Sequence, residues 1–338
     1  MRVIIDAMGG DNAPEEIVKG AVRASKELAV DVVLVGKKEE VQRCLAAEGV
    51  SDIKVVDARE VITMEDDPST ATRRKKDASM TVALNLLRDG EGDAVVSAGS
   101  TGALLTGATL IVKRIRGIRR AAMAPALPVG EKGTLLIDCG ANVECTPEYL
   151  LQFAYMGNFY AKKILHIDNP RIGLLNVGTE DTKGDALRHE TFALLKEAGD
   201  AGRINFVGNV EASGVYKDLV DVVVTDGFTG NILLKTTEGV AKMMSGMIKK
   251  SLMKSLKTKI GALLVKDGLK EMKKAMDADE IGGTAFLGIS KPVIKAHGSS
   301  KANAIFAAIR QAKVFSESGF TDAVKENIDL LKIDSAEG

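Results

Sequence analysis

The sequence predicts an α/β fold in which a mostly parallel sheet is covered by helices. Three observations carry this expectation. Short β-branched runs alternate with longer helical patterns, the rhythm of successive strand–helix units. The runs VDVVLVG (30–36) and VDVVVTDG (220–227) are apolar on both faces, as strands buried inside a parallel sheet must be. Five of the strands run into short loops rich in Gly, Ser, Thr and Asn, and each loop opens a helix.

Strands are expected over Val3–Asp6, Asp31–Val35, Ile53–Asp57, Asp93–Ser97, Thr134–Asp138, Arg171–Val177, Asn205–Gly208 and Val220–Thr225. Helical periodicity follows most of them: Pro14–Leu28, Lys38–Glu48, Ser79–Leu87, Thr101–Lys113, Pro147–Ile164, Asp185–Ala198 and Asn231–Lys250. At 338 residues the chain could hold about two domains, yet this rhythm runs through without a linker. The expected organisation is one Rossmann-like α/β domain over 1–334, a protruding basic helical segment at about 242–275, and a loose tail at 335–338.

Composition narrows the function classes. Lys plus Arg and Asp plus Glu are both 46, so the formal charge is zero, which argues against bulk nucleic-acid binding. Trp is absent, leaving few rings to stack on single-stranded bases. Three cysteines, Cys44, Cys139 and Cys145, form no CxxC pair and argue against a disulfide scaffold or structural zinc. The stretch Ala94–Val112 is uncharged and long enough to suggest a membrane span, but its Ser, Thr and Gly content reads better as strand, glycine turn and buried helix. No signal-peptide core opens the chain, so a cytoplasmic location is expected.

The glycine loops are DAMGGDNAP (6–14), SAGSTG (97–102), DCGANVECTP (138–147), NVGTEDTKGD (176–185) and TDGFTGN (225–231). Ligands of open α/β sheets bind beyond the carboxyl ends of strands. Backbone N–H groups at helix N-termini favour an anion there. A phosphate- or carboxylate-bearing ligand follows from the set, although short βα turns favour the same residues by themselves. The G-x-G-x-x-G fingerprint, the P-loop and the G-x-S-x-G elbow are all missing. Of three histidines, His166 reads as structural and His189 as exposed, while His297 lies in KAHGSSKAN, a sixth anion-cradle candidate. Lys183 in EDTKGD is a second candidate, or an exposed loop lysine. Asn231 after Gly230 could be an N-cap or a donor to a carbonyl oxygen. The acidic runs Glu65–Asp67 and Glu180–Asp181 could in principle hold Mg²⁺, but solvated acidic loops are commoner.

Taken together, IIDAMGGDNAP, MEDDPSTATRRKKDASM, SAGSTGAL, LIDCGANVECTPEYLLQFA, GLLNVGTEDTKGD, VVVTDGFTGNILLK and HGSSKANA resemble the bacterial phosphate acyltransferase (PlsX) family over nearly the whole chain. Ala78 departs from the pattern, where a serine is expected. The resemblance implies a fold like that of phosphate acetyltransferases and isopropylmalate-type dehydrogenases. It implies transfer of a long acyl chain from acyl carrier protein to inorganic phosphate, a homodimer, and peripheral membrane association beside a downstream membrane glycerol-3-phosphate acyltransferase. Phosphate is then the nucleophile, and no metal, nicotinamide or other cofactor is required. The expected catalytic residues are Lys183, Asn231 and His297. The phosphate is expected at Gly9, Gly10, Asp11, Ser100, Thr101, Gly102, Ser299 and Ser300. A metal-dependent 2-hydroxy acid dehydrogenase of related fold and a non-catalytic membrane scaffold are the competing readings.

Acyl carrier proteins are acidic, so a neutral enzyme needs a local basic patch. Arg73, Arg74, Lys75 and Lys76, and the run Arg114, Arg116, Arg119 and Arg120, are the candidates. Between Lys242 and Lys274 lie ten lysines against two acids, Asp267 and Glu271. On one continuous helix, Leu252, Met253, Leu256, Ile260, Leu263 and Leu264 share a narrow face. A basic helix with such a stripe suits a membrane interface, or else packing on a core or a second subunit.

Overall fold

The computed structural model describes the backbone of residues 1–275 and 282–331. The tail expected at 335–338 lies outside the described residues. The strands are β1 (Arg2–Asp6), β2 (Asp31–Gly36), β3 (Lys54–Asp57), β4 (Ala94–Ser97), β5 (Ala122–Ala124), β6 (Ala126–Leu127), β7 (Thr134–Ile137), β8 (Arg171–Asn176), β9 (Asn205–Glu211), β10 (Val222–Val224), β11 (Thr284–Leu287) and β12 (Val293–Lys295). They form two sheets, ordered β3-β2-β1-β4-β12-β11-β5 and β6-β7-β10-β8-β9. Pairing is parallel except where β11 meets β12 and β5, and where β6 meets β7. The α/β expectation holds, and the expected sheet resolves into two.

The chain passes from one sheet to the other at Pro125, between β5 and β6. Proline has no N–H to offer a ladder, which suits a strand break. Its carbonyl still accepts from Leu136 N–H at 2.9 Å. The helix Pro147–Lys163 buries ten residues, including Phe153, Tyr155, Met156 and Tyr160. A helix apolar on so much of its circumference belongs inside a core. It packs in one cluster with Val3, Ile5 and Val96 of the first sheet and Leu135, Ile172 and Val222 of the second.

Three elements differ from expectation. The helix expected over Thr101–Lys113 is α-helical over Thr101–Gly107 and widens to a π-turn over Ala108–Val112. The helix expected from Asn231 begins at Gly227, capped by Asp226, whose side chain accepts from Thr229 N–H. Asn231 is therefore inside the helix and is not its cap. The apolar stripe assumed one helix through Leu252–Leu264, but that helix ends at Leu252 and Ser255 caps a new one over Leu256–Leu264. Ser255 and Thr258 satisfy each other in a capping box, which is the local reason for the break. A further helix, Lys266–Ala275, follows. Among the described residues no helix is long and apolar enough to cross a membrane.

Glycine is required where the helix Gly227–Leu252 approaches the end of β7. A Cβ on Gly230 would lie 2.0 Å from Asp138 O, a backbone atom that cannot swing away. At Gly239, farther along the same helix, nothing lies within 4 Å of the added atom. Gly230→Ala should therefore destabilise by about 3 kcal/mol, the upper end of the usual cost of overpacking. Gly239→Ala should stabilise by about 0.5–1 kcal/mol through helix propensity. Chemical denaturation of both variants checks the pair, and equal midpoints would contradict the close approach.

Candidate active site

The loops after β1, β4 and β12 lie side by side because those strands are neighbours in the first sheet. Their contact is close. A Cβ on Gly9 would sit 2.5 Å from Asp6 Oδ2 and 2.8 Å from Gly99 N. On Gly10, whose φ is +103°, it would sit 3.0 Å from Gly298 O. Asp11 N–H donates to Gly298 O at 2.8 Å, and the Asn12 amide donates to Ser299 O at 3.0 Å. Gly9, Gly10, Asp11, Ser100, Ser299 and Ser300 are thus brought into one cradle, with Thr101 and Gly102 opening the helix just after Ser100. Ser300 is buried and its hydroxyl has no protein partner. Buried hydroxyls are normally paired, so this one is an available donor.

Beneath the cradle is a row of polar side chains at strand ends. Ser97 pairs in register with Lys295, and its hydroxyl donates to Asp6 Oδ2 at 2.6 Å. Burial pushes the Asp6 carboxyl up, against hydrogen bonds from Ser79 and Ser97 that lower it. Lys295 is 8% exposed, and burial pulls its ammonium down to about 8, against the attraction of Asp6 and Asp11. At the rim, His297 Nδ1 accepts Ser299 N–H at 3.3 Å and lies 2.9 Å from Ser299 Oγ. That leaves Nε2 as the protonated nitrogen of the neutral ring.

The second sheet supplies the other candidates. Asp138, at the end of β7, is fully buried. Its Oδ1 accepts N–H groups of Met123 (2.9 Å), Cys139 (2.6 Å) and Ala141 (3.3 Å). Its Oδ2 accepts Asn142 N–H at 2.6 Å and the Asn142 amide at 2.9 Å. The loop 138–147, read above as a possible anion cradle, thus turns its N–H groups onto its own aspartate. Asn231 lies one turn into the helix Gly227–Leu252, 3.7 Å from where a Cβ on Gly140 would be. Lys235, four residues on and so on the same face, bears electrostatically on both Cys139 and Lys295. Its ammonium is paired with Glu238 Oε2 at 2.8 Å. Lys183 is exposed, and its hydrogen bonds lie within its own loop: its N–H donates to Glu180 O, and its carbonyl accepts from Asn176.

The basic candidates divide. Arg73, Arg74 and Lys76 are exposed, whereas Lys75 is anchored to Asp66 Oδ2 at 2.7 Å and Val61 O at 2.9 Å. Asp66 and Asp67 are likewise occupied within their loop, by Thr63 and by Ser69 and Thr70. Arg114, Arg116, Arg119 and Arg120 are exposed, with Arg120 stacked over the Tyr149 ring at 5.4 Å. On the distal helices, Leu256, Ile260, Leu263 and Leu264 are 76%, 54%, 70% and 83% exposed, Met253 is exposed, and Leu252 is half-buried.

Sequence reasoning missed Lys295, Asp6, Asp138, Lys235 and Arg188. The available signal for Lys295 was a lysine closing an apolar run, PVIKA. Arg188 clamps the Asp226 cap, together with Thr229 Oγ1 at 3.1 Å. Burial alone would raise the Asp226 carboxyl, but Thr229 and Arg188 hold it below its ordinary value. Such a group stabilises the fold above the ordinary carboxylate range, and that stability is lost as pH falls through the depressed folded value. Asp226→Asn should cost about 1–3 kcal/mol at pH 7. The gap to wild type should close in acid, as urea melts from pH 7 down to pH 3 would read.

Comparison with known proteins identifies the family. The family described as fatty acid synthesis protein matches residues 1–323. A phosphate acyltransferase of Thermoanaerobacterium thermosaccharolyticum is 47% identical over 331 residues, covering 98% of each chain. One of Oceanobacillus iheyensis is 48% identical over 332 residues, again covering 98% of each. Among solved structures, a phosphotransacetylase from Streptococcus pyogenes superposes with a TM-score of 0.62 at 19% identity, covering 95% of this chain and 94% of that one. At that identity the likeness is one of fold. The sequence relatives match end to end at nearly half identity, and on that ground the chain belongs to the phosphate acyltransferase family.

Proposed function

We propose that the protein transfers a long-chain acyl group from the thioester of acyl carrier protein to inorganic phosphate, giving acyl phosphate and free carrier protein for phospholipid synthesis. The observation that carries this reading is the junction of the loops after β1, β4 and β12, where glycines let the loops pack closely and a buried Ser300 hydroxyl is left without a protein partner. A phosphate oxygen attacks the thioester carbonyl carbon, the new C–O bond forms as C–S breaks, and the proton of hydrogen phosphate ends on the departing sulfur. The chain's task is to hold the anion against the thioester and to stabilise charge growing on the carbonyl oxygen. Asn231 and Lys183 are assigned to that charge, and His297 to the rim of the phosphate.

The exposed arginines at 73, 74, 116 and 119, with Lys76, are assigned to docking of the acidic carrier. Lys75 contributes through its fixed place behind them. The distal helices carry exposed Leu256, Ile260, Leu263 and Leu264 among lysines, which suits an anionic leaflet, where each nearby lysine adds about 1 kcal/mol. A greasy product destined for a membrane acyltransferase fits a cytoplasmic homodimer that touches the membrane peripherally.

The deciding assay is release of carrier-protein thiol that requires phosphate. Lys183→Ala and Asn231→Ala should each leave the thermal melt unchanged. Loss of a charge-stabilising donor costs about 3–4 kcal/mol, so turnover should fall about 10²–10³-fold. Thiol release indifferent to phosphate would sink the reading. For the membrane contact, wild type should float with anionic vesicles and the Leu256→Glu plus Ile260→Glu variant should not. Equal flotation of both proteins would reject these helices as the anchor.

A further inference from the structure

The geometry points to Lys295 as the buried cation of the phosphate site, its ammonium taking one phosphate oxygen from below the junction of the loops after β1, β4 and β12. The inference rests on the acyl-transfer reading above and adds to it the group that anchors the nucleophile.

Lys295 ends β12, in register with Ser97 of β4. One residue beyond the Ile5–Val96 pair, Asp6 receives the Ser97 hydroxyl. Asp6, Ser97 and Lys295 therefore form one row across three neighbouring strand ends. The Lys295 ammonium donates to Ala98 O at 3.4 Å and to Ala296 O. Ala98 O in turn lies 3.5 Å from where a Cβ on Gly10 would be, and 4.0 Å from that on Gly298. The ammonium thus lies next to Ala98, where the loops after β1, β4 and β12 pack against one another.

Lysine is almost never so buried without a partner. Here two of its three N–H groups meet backbone carbonyls, and the attraction of Asp6 and Asp11 does not offset the effect of burial. A buried cation so incompletely compensated is costly, and an anion in the cradle supplies what is missing. The Ser300 hydroxyl, 2% exposed and unpartnered, stands in the same loop after β12 as a second buried polar group lacking a protein partner.

The charged groups facing Lys295 are Asp6 on β1, Asp11 in the loop after it, and Lys235 from the helix Gly227–Leu252. His297, two residues on, turns its ring to Ser299. Burial leaves the free ammonium titrating at about 8. A bound phosphate favours the charged form and raises that value. Once the ligand is the phosphate dianion, above its own second ionisation, affinity should fall as pH rises past about 8, and binding should take up a proton there.

The test uses the full-length enzyme and Lys295→Met, with KM for phosphate and for acyl carrier protein measured from pH 6.5 to 9.5. Lys295→Met should raise KM for phosphate about 10–100-fold, as expected for one lost charged hydrogen bond. KM for the carrier should stay within about twofold, and the loss of phosphate affinity above pH 8 should vanish. A folded variant that keeps the wild-type KM for phosphate and its pH step would overturn the proposal and leave Lys295 a structural group. If the variant does not fold, wild type decides. Calorimetric titration with phosphate at pH 8.5, in two buffers of different ionisation enthalpy, should show proton uptake, and none would overturn it. Absence of phosphate-dependent thiol release in wild type would instead sink the acyl-transfer reading itself.

Discussion

The placement of the two sheets runs through the carboxylate of Asp138. It sits at the end of β7, yet one of its five hydrogen bonds comes from Met123, on the edge strand of the other sheet. Cys139 N–H returns to Met123 O at 2.9 Å, so the two chains are fastened in both directions. Glycines 227 and 230 then let the helix Gly227–Leu252 close onto the same residue, where any side chain would strike Asp138. That helix carries Asn231 and Lys235. A single buried acid therefore fixes how this helix and the end of β7 stand against the edge strand of the first sheet.

Two kinds of strand-end loop look alike in sequence and differ in what their N–H groups face. After β7 and β10, an aspartate at the strand end folds back and accepts the loop's own N–H groups, as Asp138 does from Asn142 and Asp226 from Thr229. These loops are closed and serve as anchors. After β1, Asp6 likewise accepts Met8 N–H, but the loops after β1, β4 and β12 also lean on one another through Asp11, Asn12 and Gly298, with glycine where they approach most closely. The loops of the first sheet are thus tied to one another as well as to their own strand ends, whereas those after β7 and β10 are closed on their own aspartates.

Much of this was legible in the residues. Strands such as Val32–Val35 and Val222–Val224 announce themselves because burial on both faces demands uninterrupted apolar runs. The glycine-rich loops could be found at strand ends, but residue type alone did not separate loops that meet one another from the loop 138–147, which closes on Asp138. Four strands, β5, β6, β11 and β12, were not legible. They are two to four residues long, and their pairing is settled by distant partners and not by local pattern. The split into two sheets follows from those same strands. Lys295 and Asp138 were passed over for a related reason. A lysine is presumed solvated and an aspartate before Cys-Gly presumed a loop acid until tertiary contacts are known. The helical face drawn through Leu252–Leu264 failed at Ser255, where a capping box overrides periodicity.

The order of strands in the first sheet has a consequence for how the molecule comes into being. β5, at residues 122–124, reaches the rest of its sheet only through β11 and β12, which begin at residue 284. A chain emerging from the ribosome can pair β1, β2, β3 and β4 early, all from its first hundred residues. It must then hold the exposed flank of β4 open until the last fifth of translation delivers β12. The third loop of the cradle arrives with that strand. The three loops can therefore come together only when synthesis has run nearly to completion.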